Sequence, residues 1–328
     1  MARPQRLELM KQIAERRGAA ILCYITGDRE NVNTRIAPDV TPVIYRHLEL
    51  MGERPAIDLF IYTRGGDVLT PWRLVHLIRE YARRFAVLVP FRAYSAGTLI
   101  SLGADEIIMG KMGELGPIDP SVINAFNPQD PNNPAARVPV NIEDVYSYLG
   151  LAASKGRVVD MADRFKVFSL LAERIHPLAL GNVHRNYLLI RSLAHRLLDL
   201  RQNQLSEENI DRIVDNLTEK LYAHNHMIPR REASCDIGLP VVEAERELER
   251  LMWALYEDYN KELSMAEPFN PGDLLRGDKT DFEVAGGIVE SELALDLFIF
   301  NGMVERKDFP EGGQINVQIL RQGWMSAV

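Results

Sequence analysis

Two cysteines in 328 residues, Cys23 and Cys235, are too few for a disulfide framework. They also lack the paired spacing of a metal knuckle, so neither a stapled secreted fold nor a zinc ribbon is expected. Long apolar runs are missing: no stretch nears the uninterrupted length of a membrane span. Met1–Gly18 is charged throughout and lacks the apolar centre of a signal peptide. Positive charge is in the minority, with 38 Lys and Arg against 46 Asp and Glu and a formal charge of −8. That balance argues against a nucleic-acid binder working through bulk electrostatics. What is present is ordinary for a soluble chain, 46% hydrophobic and 26% charged. It is long enough for one large core plus an appendage, or for two modest domains. A cytoplasmic, soluble protein is the expectation.

The chain turns on Phe91–Gly103, F-R-A-Y-S-A-G-T-L-I-S-L-G. Phe85–Val89 reads as a buried strand leading into Pro90. From Ala96 the pattern becomes helical, with Leu99, Ile100 and Gly103 on one face. Ser95 falls at the elbow, among neighbours small enough to let a substrate backbone close in. The unpaired amides at the helix start favour developing negative charge by roughly 0.3–1 kcal/mol. Y-S-A-G also suits a serine that merely caps a helix.

Around that elbow, strand and helix alternate. Arg6–Arg17 reads as an amphipathic helix with Leu7, Met10, Ile13 and Ala14 on one face. Ala19–Thr26, Ile57–Tyr62 and Glu106–Met109 read as further strands, and residues 40–51 keep helical spacing. Thr70 and Pro71 open a helix to about Tyr81, threonine as cap and proline in the first turn. Alternation with short turns implies an α/β fold with a parallel sheet. The Gly65-Gly66 turn and Ser95 both sit at the carboxyl ends of strands, where open α/β sheets bind ligands. Residues 124–138 form a polar, proline-rich loop, read as a surface flap or assembly contact. Residues 142–227 are mostly helical, most clearly over Glu207–Tyr222. A charged helix over Val241–Leu263 follows, and from Phe282 the tail reads as a small antiparallel meander. The expected division is a domain over 1–240 and an extension over 241–328.

Acyl transfer at a serine needs a nucleophile, a base and amide donors for the oxyanion. Gly65-Gly66 offers backbone N–H groups with no side chain in the way, and the Ala96 amide offers another. A Gly-Gly turn alone is common. The order of motifs carries more: R-G-G-D-V-L-T-P, Y-S-A-G-T, G-K-M-G-E-L-G-P-I-D-P, H-P-L-A-L-G-N-V-H-R, then I-P-R-R-E-A-S-C-D-I-G-L. In that order they resemble the Clp protease and signal peptide peptidase A group, and within it the serine dehydrogenase proteinase family of Clp-fold serine peptidases. The likeness runs from about Ala19 to Val241.

The resemblance implies a Clp/crotonase-like fold of repeated strand-strand-helix units, with a C-terminal helix and a small β-rich appendage. It implies a serine endopeptidase working through an acyl-enzyme, without cofactor or metal. Ser95 would be the nucleophile, His176 the base and Asp119 the orienting carboxylate, with Gly65, Gly66 and Ala96 forming the oxyanion hole. Asp119 stands where Clp proteases place their histidine. Signal peptide peptidase A relatives use a serine–lysine dyad, which makes Lys155 the alternative base, although Lys155 and Lys166 both read as solvated. Asp119 before Pro120 also suits a plain turn, and His176 before Pro177 a helix end. His184 reads as surface or capping, and His224 with His226 lacks further metal ligands. A crotonase-type acyl-CoA enzyme would share the paired-amide oxyanion hole but does not need the serine. A catalytically inactive assembly scaffold would be marked by loss of Ser95 or of every nearby base. The partners implied are a protein or peptide substrate and further copies of the chain, met through the 124–138 flap and the N-terminal helix. Neither nucleic acid nor a membrane span is implied.

Overall fold

Continuous apolar runs become the interior strands of an eight-stranded sheet in this computed structural model, which describes residues 3–118, 121–133, 135–221, 225–309 and 312–327. Five strands run parallel: β1 (Ala20–Thr26), β2 (Arg54–Tyr62), β3 (Ala82–Val89), β4 (Glu106–Met109) and β5 (Val241–Glu243). They lie side by side in that order. Ile21 to Ile25 in β1 and Phe85 to Val89 in β3 are buried on both faces, as interior parallel strands require. Helices α1 (Arg3–Arg17), α2 (Thr41–Met51), α3 (Thr70–Tyr81) and α4 (Ala96–Leu102) separate or flank these strands.

The tail departs from the expected appendage. Strands β6 (Lys279–Glu290), β7 (Leu295–Phe309) and β8 (Gly312–Ser326) are antiparallel, as read from the sequence. They continue the same sheet, because β6 pairs with β1 in the register Cys23 to Glu290. No boundary falls near residue 240 either. Val241 and Val242 pair with Ile107 and Ile108 as an edge strand, where β-branched side chains fit. The helix expected from Val241 begins only at Arg246 and runs to Glu262, with the Glu245 carboxylate accepting the Glu247 and Leu248 amides.

Two arginines, Arg6 buried and Arg17 half-buried, tie α1 down. Arg17 donates to Asp58 at 2.6 Å and to Glu106 at 2.7 Å. Burial pushes the Asp58 carboxyl up, and the Arg17 charge pulls against it. Arg6 donates to Glu290 at 2.6 Å and to Asp258 at 2.9 Å, while the Tyr259 hydroxyl donates to Glu290 at 3.0 Å. Removing one partner of such a pair costs about 3–5 kcal/mol. With Met10 and Ile13 packed among Leu251, Leu255 and Tyr259, α1 contributes one face to its own chain's core.

The chain divides into two units elsewhere than expected. One holds residues 1–116, 197–205 and 227–328, and the other holds 117–196 and 206–226. The second is helical: α5 (Ile142–Ser154), α6 (Met161–Arg174), α7 (Pro177–Leu198, its last two residues in the first unit) and α8 (Glu207–Asp215). Val140, Ile142 and Val183 form its small core. The helix expected to reach Tyr222 ends at Asp215 and continues as a π-type turn over Asn216–Lys220. Tyr222 and His224 lie outside the described residues. Among the described residues no helix is long and apolar enough to cross a membrane.

Candidate active site

A second, short ladder lies at the carboxyl ends of the long strands. Arg92–Ala93 pairs parallel with Glu114–Leu115, Thr63 bridges Ala93, and Ile36 bridges Gly66. Long strand, short strand and helix thus repeat, as the resemblance implies. Thr63 N–H donates to Arg92 O at 2.9 Å and Tyr94 N–H to Thr63 O at 3.1 Å. These bonds set the R-G-G-D turn against the residue that follows Tyr94.

That residue, Ser95, has φ 51° and ψ −106°. A side chain there costs of order 1–3 kcal/mol and persists only where its surroundings fix it. They do. Gly97 N–H donates to Tyr94 O at 2.8 Å and Leu99 N–H to Ser95 O at 3.0 Å. Thr98 Oγ1 lies 2.9 Å from Ala93 O and 2.8 Å from Gly116 O, and accepts the Gly116 amide at 3.1 Å. The Ser95 hydroxyl makes no capping bond to α4, so capping does not account for it. A strained strand-to-helix elbow is the backbone that lifts a nucleophile clear of a sheet.

Gly65 closes against the serine. A Cβ built on it would lie 2.9 Å from Ser95 Cβ and 3.4 Å from Ser95 Oγ, and its φ is +103°. Its amide is not open, however: it donates to Thr63 Oγ1 at 3.0 Å, and the Thr26 hydroxyl donates to the same oxygen at 2.7 Å. This corrects the expectation that both glycines line the oxyanion hole. The Gly66 and Ala96 amides meet no acceptor among the described residues. Gly66 is wedged beside Ile36, which accepts from Asp67 N–H at 2.8 Å and donates to Gly65 O at 2.9 Å. Asp67 also takes the capping role expected of Thr70. Its Oδ1 accepts the Leu69 and Thr70 amides at 3.1 and 2.8 Å and the Thr70 hydroxyl at 2.7 Å.

Thr26, Ile36, Thr63 and Asp67 were not singled out from the sequence. The signal for the two threonines was available, since each ends a long apolar strand run just before a glycine-containing turn.

No base stands at Ser95 Oγ within its own unit, where the hydroxyl makes no hydrogen bond to a described residue. Neighbouring Tyr94 donates to Glu114 at 2.5 Å. Burial and that bond push its phenol up to about 12, so it remains a neutral donor. Arg92 sits between Asp28 at 3.6 Å and Glu114 at 3.7 Å, over the Phe91 ring.

The other expected residues belong to the second unit. His176 immediately precedes α7, its ring stacked on Phe126 with centroids 4.9 Å apart. Its Nδ1 accepts the Leu178 amide at 3.1 Å, so a neutral ring carries its proton on Nε2. A base for serine needs the opposite tautomer, with Nδ1–H held by a carboxylate. Lys155 is exposed just past α5, and His184 Nδ1 lies 2.9 Å from the Tyr146 hydroxyl. Asp119 lies outside the described residues. Ser95, Gly65, Gly66 and Ala96 are therefore brought together in one unit.

Comparison with known proteins bears on this arrangement. Residues 2–145 match the family model of the ClpP-like SDH-type serine proteinases, so the resemblance read from the motifs holds over that segment. It includes Gly65, Gly66, Ser95 and Asp119 and ends before Lys155 and His176. Two uncharacterized proteins of Methanocaldococcus jannaschii are similar. MJ1495 is 32% identical over 126 residues, 36% of this chain and 42% of its own length. MJ0137 is 30% identical over 123 residues, 36% of this chain and 43% of its own length. The matches thus span about two-fifths of those relatives. Among solved structures, a mutant of a membrane-bound stomatin-specific protease aligns over 75% of this chain and 86% of its own, with TM-score 0.38 and 16% identity. An enoyl CoA isomerase from M. smegmatis aligns over 60% and 87%, with TM-score 0.24 and 15% identity.

Proposed function

We propose that this chain is a serine endopeptidase acting through an acyl-enzyme on Ser95. The observation that carries the reading is the positive-φ elbow at Ser95 lying flush against the bare face of Gly65, with the Gly66 and Ala96 amides open beside it. Ser95 Oγ attacks the scissile carbonyl carbon and its proton passes to the base. The oxyanion accepts hydrogen bonds from Gly66 and Ala96. The C–N bond then breaks as the base returns its proton to the leaving amine, and water repeats the sequence to free Ser95. The substrate backbone runs as an extended strand beside Gly65-Gly66.

His176, oriented by Asp119, is the base in this reading, with Lys155 as its rival. For His176 to act, the Leu178 amide must give up Nδ1 and the imidazole must change tautomer. The working protein is a cytoplasmic homo-oligomer, for which free Cys23 and Cys235 suit a reducing compartment. A crotonase-type acyl-CoA enzyme would leave the strained serine without a purpose, which favours the peptidase. The test is capture by a fluorophosphonate probe, mapped by mass spectrometry, alongside hydrolysis of a quenched-fluorescence peptide library. Labelling at Ser95, with both signals lost in Ser95→Ala, is expected. Hydrolysis that survives Ser95→Ala refutes the reading.

A further inference from the structure

Glu114 and Gly116, in the G-E-L-G stretch, have no part in the acyl transfer, yet both face the residue that precedes Ser95. Arg92 stands opposite Glu114 and Ala93 opposite Leu115 in the short parallel ladder. Alternate residues of an extended chain share a face. Arg92 and Tyr94 therefore lie on the side of Glu114 and Gly116, while Ala93 and Leu115 are buried on the other. Glu114 Oε2 accepts the Tyr94 hydroxyl at 2.5 Å, and Arg92 Nε lies 3.7 Å from the same oxygen. Gly116 supplies the seat for the ring. A Cβ built on it would lie 3.2–3.3 Å from Cδ1, Cβ and Cγ of Tyr94. The I-P-R-R stretch braces this from behind, since Ile228 and Pro229 pair antiparallel with Leu115 and Glu114 as a third strand. Both ends of the Tyr94 side chain are gripped, the hydroxyl by Glu114 and the root of the ring by Gly116.

We infer that Tyr94 is a positioning residue for Ser95, and that Glu114 and Gly116 clamp it so that the strained elbow keeps Oγ presented. This rests on the reading of Ser95 as the nucleophile. A serine at positive φ relaxes unless its surroundings over-determine it. After Ser95, the bond from Leu99 N–H and the burial of α4 hold the chain. Before it, main-chain bonds to Thr63 and Gly97 fix the N–H and the carbonyl of Tyr94. Those two bonds leave the residue able to tilt between them. The side chain removes that tilt, with a charge-assisted hydrogen bond at its tip and a close contact at its root. A tilt would also disturb the glycine turn, because a Cβ on Gly65 would lie only 3.1 Å from Tyr94 O. The Tyr94 hydroxyl is committed to Glu114, so it acts through position and not by taking the serine proton.

The full-length chain tests this with Tyr94→Phe, which keeps the ring on Gly116 and loses the bond to Glu114. Glu114→Leu, Glu114→Gln and the double variant Tyr94→Phe/Glu114→Leu accompany it. A hydrogen bond to a charged group is worth enough to change a rate by about 10- to 100-fold. Tyr94→Phe is expected to slow fluorophosphonate capture of Ser95 by that factor and to lower kcat for a peptide with KM unchanged. Its circular dichroism spectrum stays that of the parent. The Gly97 and Leu99 amides, bonded to Tyr94 O and Ser95 O, exchange hydrogen faster. Glu114→Leu does the same, while Glu114→Gln, which keeps an accepting oxygen, stays close to the parent. The double variant is no slower than the slower single one, as for two ends of one contact. Slowing in the double variant that equals the product of the two singles overturns the proposal, as does a Tyr94→Phe protein captured at the parent's rate. A parent that captures no probe refutes the peptidase reading instead. Hydrogen exchange then decides the clamp alone, and unchanged protection of Gly97 and Leu99 in Tyr94→Phe overturns it.

Discussion

Replacing Gly66 by alanine tests the oxyanion hole at the point where the structure gives the sharpest geometry. The new Cβ would lie 2.0, 2.6 and 2.8 Å from the O, N and C atoms of Ile36, all of them backbone. No rotamer relieves that contact. Ile36 is also pinned, because its N–H donates to Gly65 O and its O accepts from Asp67 N–H. Relief therefore breaks those two bonds, at about 0.5–1.5 kcal/mol each, or overpacks the turn, at about 1–3 kcal/mol. A loss of about 1–3 kcal/mol stands against a typical total of ~5–15, so the variant folds, with its midpoint lowered by roughly 1–5 °C. An exposed, tolerant turn would predict no such shift. The displaced Gly66 amide no longer meets the oxyanion, and turnover falls by about 10²–10³-fold. The assay is peptide hydrolysis and fluorophosphonate labelling rate, both well below the variant's own midpoint. A folded Gly66→Ala protein within tenfold of the parent in turnover removes Gly66 from the chemistry and refutes the reasoning.

Thr63→Val keeps the methyl group that faces Gly97 but leaves the Gly65 amide and the Thr26 hydroxyl without their shared acceptor. It is expected to cost about 1–3 kcal/mol in urea unfolding and to lower turnover, with Thr63→Ser restoring both. His176→Ala is expected to lower hydrolysis by several orders of magnitude while Lys155→Ala is nearly silent. The reverse mutant pattern assigns the serine–lysine dyad. His47 is buried between Ser291 at 2.8 Å and Asp296 at 2.9 Å, and burial holds its imidazole below the ordinary value against the pull of Asp296. The unfolded chain takes up that proton below about pH 6.5, so this contribution to stability is complete above that pH and is lost as pH falls through the depressed folded value. Urea midpoints between pH 7.5 and 5 show the slope, and His47→Gln flattens it.

The parallel strands were legible because Ala20–Ile25 of β1 and Phe85–Val89 of β3 are uninterrupted apolar runs, the mark of a doubly covered strand. Val241–Glu243 was not. Three residues are too few to show a period of two, and the helical period that begins five residues later spreads back over them. The place of the tail was hidden for a different reason. That β6 pairs with β1 is a contact between residues 23 and 290, and no local pattern in either strand names the other. The roles of Arg6 and Arg17 were hidden in the same way. On a helical wheel they mark a polar face, yet both are drawn inward by acidic partners from distant segments.

The same distinction runs through the candidate site. The change from strand to helix period located the Ser95 elbow, and the paired glycines located the turn beside it, since both are properties of short stretches. Which amide remains open is not such a property. Gly65 and Gly66 are alike in the sequence, and what separates them is a threonine two residues earlier whose hydroxyl turns back on one of them. That hydroxyl sits where it does because a second threonine, on the adjacent strand, donates to it. The elbow itself follows similar logic. A strain of about 1–3 kcal/mol at Ser95 is small beside the burial of Leu99, Ile100 and Leu102 in the helix that follows, each contributing about 1.5–3 kcal/mol. The apolar residues of α4 therefore hold the serine in a backbone conformation that its own preferences oppose.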